Sequence, residues 1–352
     1  MNTRPPLLND NDLTCRVDAL KPWPGIAIDN GSFPLWPRFF LTFYLHYLPD
    51  QSLRTTLDML DVQDAFARLL GHPYTIATHP RSERLLRYGS IRLEELHEWA
   101  RRCPVDQVFT VNLTDQDNHQ TSPGHSAYLR REPAIAGKAP YYSSLQFYFC
   151  WQWWLDHQHE WRQFVLESIA YLTPAQVYSG FAVANPLGPG MRSQAAILNR
   201  ALAPHFYGLD IDHPPGMMRA AELPSGIRPP TWGFFLSDIW REKLGTSRDE
   251  VAAQLADPLI RIEPLDCGLW IELGPRPELY PVQQGVPRLP AVLNRLLRKI
   301  RHPQLDLLGF CPRDVEPGKH FDSRDTRRWL ARFDDGSDWP TRNSIIGTPP
   351  GY

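Results

Sequence analysis

SLQFYFCWQWWLDHQHEWRQFVLESIAYL, residues 144–172, sets two kinds of periodicity side by side. Ser144 to Trp151 alternates its side chains as a strand does. Trp154 to Leu172 repeats apolar residues at Trp161, Phe164, Val165, Ile169 and Leu172, the spacing of one helical face. Thr173-Pro174 ends that helix, since the residue before proline is driven out of the α region, and Val177 to Ala184 reads as the next strand. Upstream, Gln107 to Leu113 and Ser126 to Arg131 also alternate, and Phe39 to Leu45 is an aromatic run of strand character. Ser52 to Leu70 reads as helix, ending at Gly71-His72-Pro73. Its apolar phase slips, however: Leu53, Leu57 and Leu60 share a face that Phe66 and Leu70 do not, which predicts two short helices meeting near Asp61 as an N-cap. Ile91 to Arg102 is a further helix, stopped by Cys103-Pro104.

Downstream, Gly188-Pro189-Gly190 opens a predicted helix through Ala203. A crossing with Pro214, Pro215, Pro224, Pro229 and Pro230 then leads to a strand at Trp232 to Leu236 and a helix to Gly245. Leu259 to Pro264 and Gly268 to Leu273 flank Leu265-Asp266-Cys267 as a hairpin, and Pro290 to Arg301 is again helical. Hairpins alternating with long helices predict an α+β fold, a mixed or antiparallel β-sheet with helices packed on its faces. The rhythm of the last third mirrors the middle, which is compatible with two similar halves in one compact body, and no strict period marks a repeat protein. The expected organisation is a proline-rich N-terminal arm at 1–37, one α+β domain at 38–335 and a C-terminal tail at 336–352.

At 352 residues the chain can bury a core without disulfides or metals, and 42% hydrophobic with 22% charged residues is ordinary globular usage. The 37 Lys and Arg against 39 Asp and Glu argue against a dedicated nucleic-acid binder, which would carry a basic excess. With 35 prolines the chain holds about twice the usual ~5% share, so long ordered loops are expected. No apolar run of signal-peptide or membrane-span length follows Arg4 or occurs later, so the expected location is the cytoplasm, without membrane contact. Cys15, Cys103, Cys150, Cys267 and Cys311 form no CxxC pair and are expected as reduced thiols.

Chemical motifs are few. His157, His159 and Glu160 invite a metal reading, but an H-x-H pair on a helix points two ways, and Gln163 stands where HExxH needs its second histidine. His205, Asp210, Asp212 and His213 read as turn chemistry among prolines, and Gly188-Pro189-Gly190 lacks a Walker lysine or a full GxGxxG. No G-x-S-x-G elbow is present. The aromatic run Phe147, Tyr148, Phe149, Trp151, Trp153, Trp154 suits a core better than a stacking platform, since no basic surround accompanies it. These readings predict no catalytic residue, no metal and no cofactor.

Charge is unevenly placed. Arg288 to Arg332 holds 11 basic and five acidic residues, leaving the remainder acidic. Asp58, Asp61 and Asp64 at i, i+3 and i+6 form an acidic stripe if one helix runs through them, and Asp115 with Asp117 adds a second acidic locus. If they face a partner, it should be basic and bind more weakly in salt.

GLWIELGPRPELYPVQQGVPRLP at 268–290, TWGFFLSDIWREKLG at 231–245 and FDSRDTRRWLARFDD at 321–335 together resemble a bacterial family, the type VI immunity proteins that accompany VRR-Nuc and related restriction-endonuclease-like toxins. The resemblance spans roughly Phe39 to Asp335, strongest at Gly274-Pro275-Arg276-Pro277-Glu278-Leu279, with support from Gly180-Phe181-Ala182 and Tyr207-Gly208-Leu209. The family has no catalytic residues to carry over. Its motifs read as turns, Gly274 permitting an unusual backbone and Pro275 and Pro277 stiffening the exit. The arm at 1–37 and the 214–230 crossing depart from the pattern and offer surfaces matched to one particular toxin.

The resemblance implies a non-enzymatic immunity protein that binds a cognate nuclease effector of a type VI secretion system and masks its DNA-binding or active-site groove. The partner-binding carboxylates expected are Asp58, Asp61, Asp64, Asp115 and Asp117, backed by Asp334 and Asp335, with Tyr141 and Tyr142 as exposed aromatic anchors. Two alternatives remain at this level. An enzyme with an unrecognised active site requires titratable groups converging in a pocket. A small-ligand or nucleic-acid binding module requires Arg295, Arg298, Lys299 and Arg301 to form one exposed basic stripe rather than pair with Asp and Glu.

Overall fold

A computed structural model describes residues 37–340 except 47–48, 80–83, 91–94, 119–120, 134–140, 188–198, 201, 212–222 and 304–320. The expected N-terminal arm up to 36, the Gly188-Pro189-Gly190 turn, Asp212, His213 and positions 341–352 lie outside these residues.

The described strands form one sheet of eleven. They are β1 (Pro37–Leu45), β2 (Ile76–Thr78), β3 (Leu85–Arg87), β4 (Phe109–Thr114), β5 (Ser126–Arg131), β6 (Ser143–Phe149), β7 (Gln176–Val183), β8 (Leu209–Asp210), β9 (Gly233–Ser237), β10 (Ile260–Leu265) and β11 (Gly268–Leu273). The order is β10-β11-β9-β7-β1-β6-β5-β4-β2-β3. Every pairing is antiparallel except β7 with β8. The fold is α+β, as the alternation of hairpins and helices predicts.

At the centre, β1 lies between β6 and β7, with Phe39 opposite Phe149 on one side and Phe181 on the other. Every residue of β6 and of β7 is buried, including the polar Ser143, Ser144, Gln146, Gln176 and Ser179, so both faces of these strands are covered. Phe39 stands edge-on to Trp154 at 5.4 Å and meets Trp161 and Trp232 at 5.6 and 5.7 Å, while Trp151 and Trp154 stack at 4.8 Å. The aromatic run around Trp151 is therefore core, closed to bases or sugars.

The eight helices described are α1 (Ser52–Leu69), α2 (Leu96–Arg102), α3 (Trp151–Asp156), α4 (Gln158–Leu172), α5 (Asp238–Leu244), α6 (Arg248–Gln254), α7 (Arg288–Leu297) and α8 (Ser323–Leu330). The predicted break in the first helix does not occur: α1 is continuous through Asp61. Its buried face is Ser52, Thr56, Met59, Leu60, Gln63, Phe66 and Ala67, at regular helical spacing. Three polar residues occupy positions where the periodicity looked for apolar ones, and Leu53 faces solvent, so hydrophobicity alone misplaces the phase. Conversely, the helix expected from Trp154 is broken at His157, whose backbone leaves the helix and whose ring stacks on Trp153.

The hairpin β10–β11 forms as expected around Asp266-Cys267. Leu259 O accepts from Gly274 N, so odd-numbered residues of β10 face the ladder and Ile260, Ile262 and Pro264 face the open edge. Pro264 lacks an N–H and Ile260 donates its own to Asp257 O, which blunts this edge against strand addition. Gly274 has φ +97, the conformation that favours glycine. Its carbonyl accepts from the Trp232 indole, so the GPRP segment is a turn that locks β11 to β9.

Arg162 of α4 ties the helix to this hairpin, its Nε donating to Glu272 at 3.1 Å and its Nη2 to Glu263 at 2.9 Å. Glu272 is 7% exposed. Arg162→Ala strands a buried carboxylate and is expected to destabilise the fold by about 2–4 kcal/mol, measured by urea denaturation. A loss below half a kilocalorie per mole, roughly the scale of an exposed pair, would show the bridge to be ornamental.

Candidate interface

The helix α1 packs against α2 and α4, and the outer side of this junction gathers five polar side chains. Tyr171, in the last turn of α4, is 53% exposed. Its Oη lies 3.0 Å from Asp58 Oδ1 and 3.1 Å from Asp61 Oδ2. His97 Nε2 of α2 lies 2.9 Å from Asp61 Oδ1, and Arg54 Nε is 3.6 Å from Asp58 Oδ2, one turn back on α1. A phenol has one proton to donate, so it serves one of the two carboxylates at a time and the other keeps a free acceptor. Partial removal from water, then the hydrogen bond and charge of Asp58 and those of Asp61, push the Tyr171 hydroxyl up to about 12.

Asp64 continues the stripe inward. Burial raises its carboxyl pKa, opposed by the charges of His97 and Arg68. One continuous helix therefore carries Asp58, Asp61 and Asp64 as the charge pattern required, although Asp61 is clasped by two neighbouring helices rather than capping one. Tyr171 was missed in the sequence. Its signal was present, because the apolar stripe Trp161, Phe164, Val165, Ile169, Leu172 leaves position 171 on the outer side.

The remaining expected positions are not brought together here. Asp115, at the end of β4, is an internal brace: Oδ1 accepts from Gly124 N at 3.1 Å and Gln116 Nε2 at 2.9 Å, and Oδ2 accepts from His125 N at 2.8 Å. Burial pushes its carboxyl up, but the bonds and charge of His125 and Gln116 outweigh this, and the net shift is down. A depressed folded pKa contributes stability above the unfolded value, which disappears as pH falls through the acid range. Asp115→Ala is expected to lose about 2 kcal/mol at pH 7 and progressively less in acid, with no change in the rate of partner association. Equal destabilisation at pH 7 and at pH 3 would contradict the bracing role. Asp117 is exposed in the same loop.

Tyr142 is not the exposed loop residue expected: it is 4% exposed and stands edge-on to His46 at 5.1 Å, because it leads directly into the buried strand β6. Tyr141 is half-buried. Asp334 belongs to the fold, accepting from Arg301 at 2.7 and 2.6 Å and from Asn294 Nδ2 at 2.7 Å, while Asp335 is exposed.

A model of a protein family, TsiV, described as type VI immunity for VRR-NUC, matches residues 77–333. The chain belongs to this family. It is an immunity protein of the type VI secretion system, directed against VRR-Nuc nuclease effectors. Among solved structures it is similar to a Pseudomonas aeruginosa T6SS protein, with TM-score 0.70 and 18% identity over 87% of this chain and 84% of that one, a likeness of fold. No curated protein matches.

In the immunity protein the basic segment does not form one open stripe. Arg288 pairs with Asp257, Arg301 with Asp334 and Arg328 with Asp338, while Arg295, Arg298 and Lys299 are exposed between them. Among the described residues only Arg301 of the four positions such a module requires is paired, so it is the family match rather than this charge pattern that favours the immunity reading over a nucleic-acid module. His157 Nδ1 contacts Trp153 O, and Asp210 pairs with Arg228, so these two residues of the metal-like clusters are engaged in structure, while His159 and Glu160 are exposed. Among the described residues no group of three His, Cys, Asp or Glu could hold a metal, and no helix is long and apolar enough to cross a membrane.

Proposed function

We propose that the immunity protein acts stoichiometrically, as a plug, by laying the acidic outer face of α1 against the basic groove of its VRR-Nuc effector. The observation carrying this reading is the convergence of Asp58, Asp61 and the exposed Tyr171 at one spot. A nuclease must display Lys and Arg to hold DNA phosphates, and ordered carboxylates that occupy that groove exclude the duplex and accelerate encounter. Tyr171 supplies the aromatic anchor: interface hot spots favour Trp, Tyr and Arg, and its hydroxyl is held by one or the other carboxylate before the partner arrives. Asp117 and Asp335 are exposed carboxylates outside this convergence, whereas Asp115, Asp334 and Tyr142 act through the fold.

Coexpression with the neighbouring nuclease is the direct test. The expected result is rescued growth, a heterocomplex of fixed stoichiometry, and nuclease freed of DNA when the complex forms. A complex in which the nuclease still binds duplex DNA with unchanged affinity would refute groove masking.

A further inference from the structure

Beneath the acidic face lies a set of buried polar groups short of hydrogen-bond partners. Gln63 is 1% exposed, and its amide reaches no hydrogen-bond partner beyond a loose contact with the Tyr88 hydroxyl. Tyr74, just before β2, is 6% exposed and its hydroxyl is also without a partner. The Tyr74 ring stands edge-on to Tyr88 at 5.8 Å, and the Tyr88 hydroxyl lies beside the Gln63 amide. Asp64, next to Gln63 on α1, acts electrostatically on both tyrosines: burial and then the Asp64 charge push the Tyr88 hydroxyl up. Asp64 itself is half-buried, as is Tyr88, so the group opens to solvent on their side.

Buried polar groups are nearly always paired, and an amide and a phenol left unpaired at one place call for a missing occupant. The inventory is rich in acceptors and in π-faces: the Asp64 carboxylate, Gln63 Oε1, two phenol oxygens and two rings. A guanidinium matches it, being a planar cation with five donors that stacks on aromatic rings and forks onto a carboxylate. We propose that Gln63, Asp64, Tyr74 and Tyr88 form a receptor for one arginine side chain of the bound nuclease. This rests on the reading that the α1 face meets the nuclease, and it names the group that seats there.

Gln63→Leu removes the unpaired amide while keeping its bulk. The free protein is expected to melt at the same temperature or higher, while its complex with the neighbouring nuclease dissociates at least tenfold faster. Asp64→Asn should act in the same direction. A scan of the nuclease arginines to alanine identifies the guest as the one whose effect disappears in the Gln63→Leu background. If both variants dissociate at the wild-type rate, the occupant is a buried water only and the receptor is overturned. The α1 reading survives that outcome as long as charge reversal at Asp58 and Asp61 still slows association. If neither set alters binding, both ideas fall.

Discussion

Asp210→Asn is expected to destabilise the immunity protein by about 3–5 kcal/mol, among the largest losses open to a single polar substitution. Asp210 and Arg228 are 2% and 4% exposed, and Arg228 Nη2 donates to Asp210 Oδ2 at 2.6 Å and to Ile211 O at 3.0 Å. The same guanidinium lies 5.1 Å from the Tyr178 ring and reaches the Tyr44 hydroxyl at 3.4 Å, so it binds β8 and its own loop to β1 and β7. A second buried guanidinium, Arg332, shares the region, packed on the Trp329 and Phe333 rings with its Nε donating to Tyr207 O at 3.2 Å. Burial draws Arg332 down to about 9, and the Asp210 charge is what opposes that fall. Removing one carboxylate charge thus leaves two buried cations short of compensation. Asparagine keeps the size and, through its oxygen, the bond to Ile211 N, but it sets an NH2 donor against the Arg228 donors, so the charge and the hydrogen bond to Arg228 are lost together. Urea denaturation of the variant, and of Asp210→Leu combined with Arg228→Met, provides the check. The apolar pair should recover most of the loss, and a single variant within about 1 kcal/mol of wild type would show that the pair is not needed.

Reversing Asp58 and Asp61 together to lysine is expected to slow association with the VRR-Nuc effector by about tenfold or more at low ionic strength, with a smaller effect on dissociation. Asp61 is 54% exposed, whereas Asp58 at 22% is half-buried like Asp64, so urea denaturation of the double variant accompanies the kinetics to show that it folds. Screening shortens electrostatic reach to about 3 Å at 1 M salt, so the two proteins should converge there. Stopped-flow association across a salt series checks both statements. Identical rates at every salt concentration would remove this face from the encounter.

The two expectations differ in how far they were visible in the chain. Spacing put Asp58, Asp61 and Asp64 on one flank of a helix only on condition that one helix runs through them, which the apolar phase argued against. Each three-residue step falls about 60° short of a full turn, so the stripe slants from exposed Asp61 to half-buried Asp64. The buried role of Asp210 was not visible: it read as a turn residue among prolines, and its partner Arg228 lies 18 positions away, brought into contact only by the fold. Asp115 and Asp334 illustrate the same limit from the opposite side. Each looked like a free carboxylate, and each is consumed by donors brought from elsewhere, His125 across a loop and Arg301 from beyond α7. Tyr142 was misjudged because local sequence does not show which side of a strand entrance meets the core.

Local chemistry by itself determined the element types, the α+β class, the core character of the tryptophan run and the turn at Gly274, because periodicity, proline and glycine act within a few residues. It also carried the family resemblance. Only the tertiary structure decided which carboxylates remain available, that α1 is one helix with polar residues on its buried face, and that Tyr171 and His97 close around Asp58 and Asp61. Those outcomes depend on groups 36 to 113 positions apart in the chain, and a hydrogen bond or an ion pair exists only once folding has brought its two ends within about 3 Å.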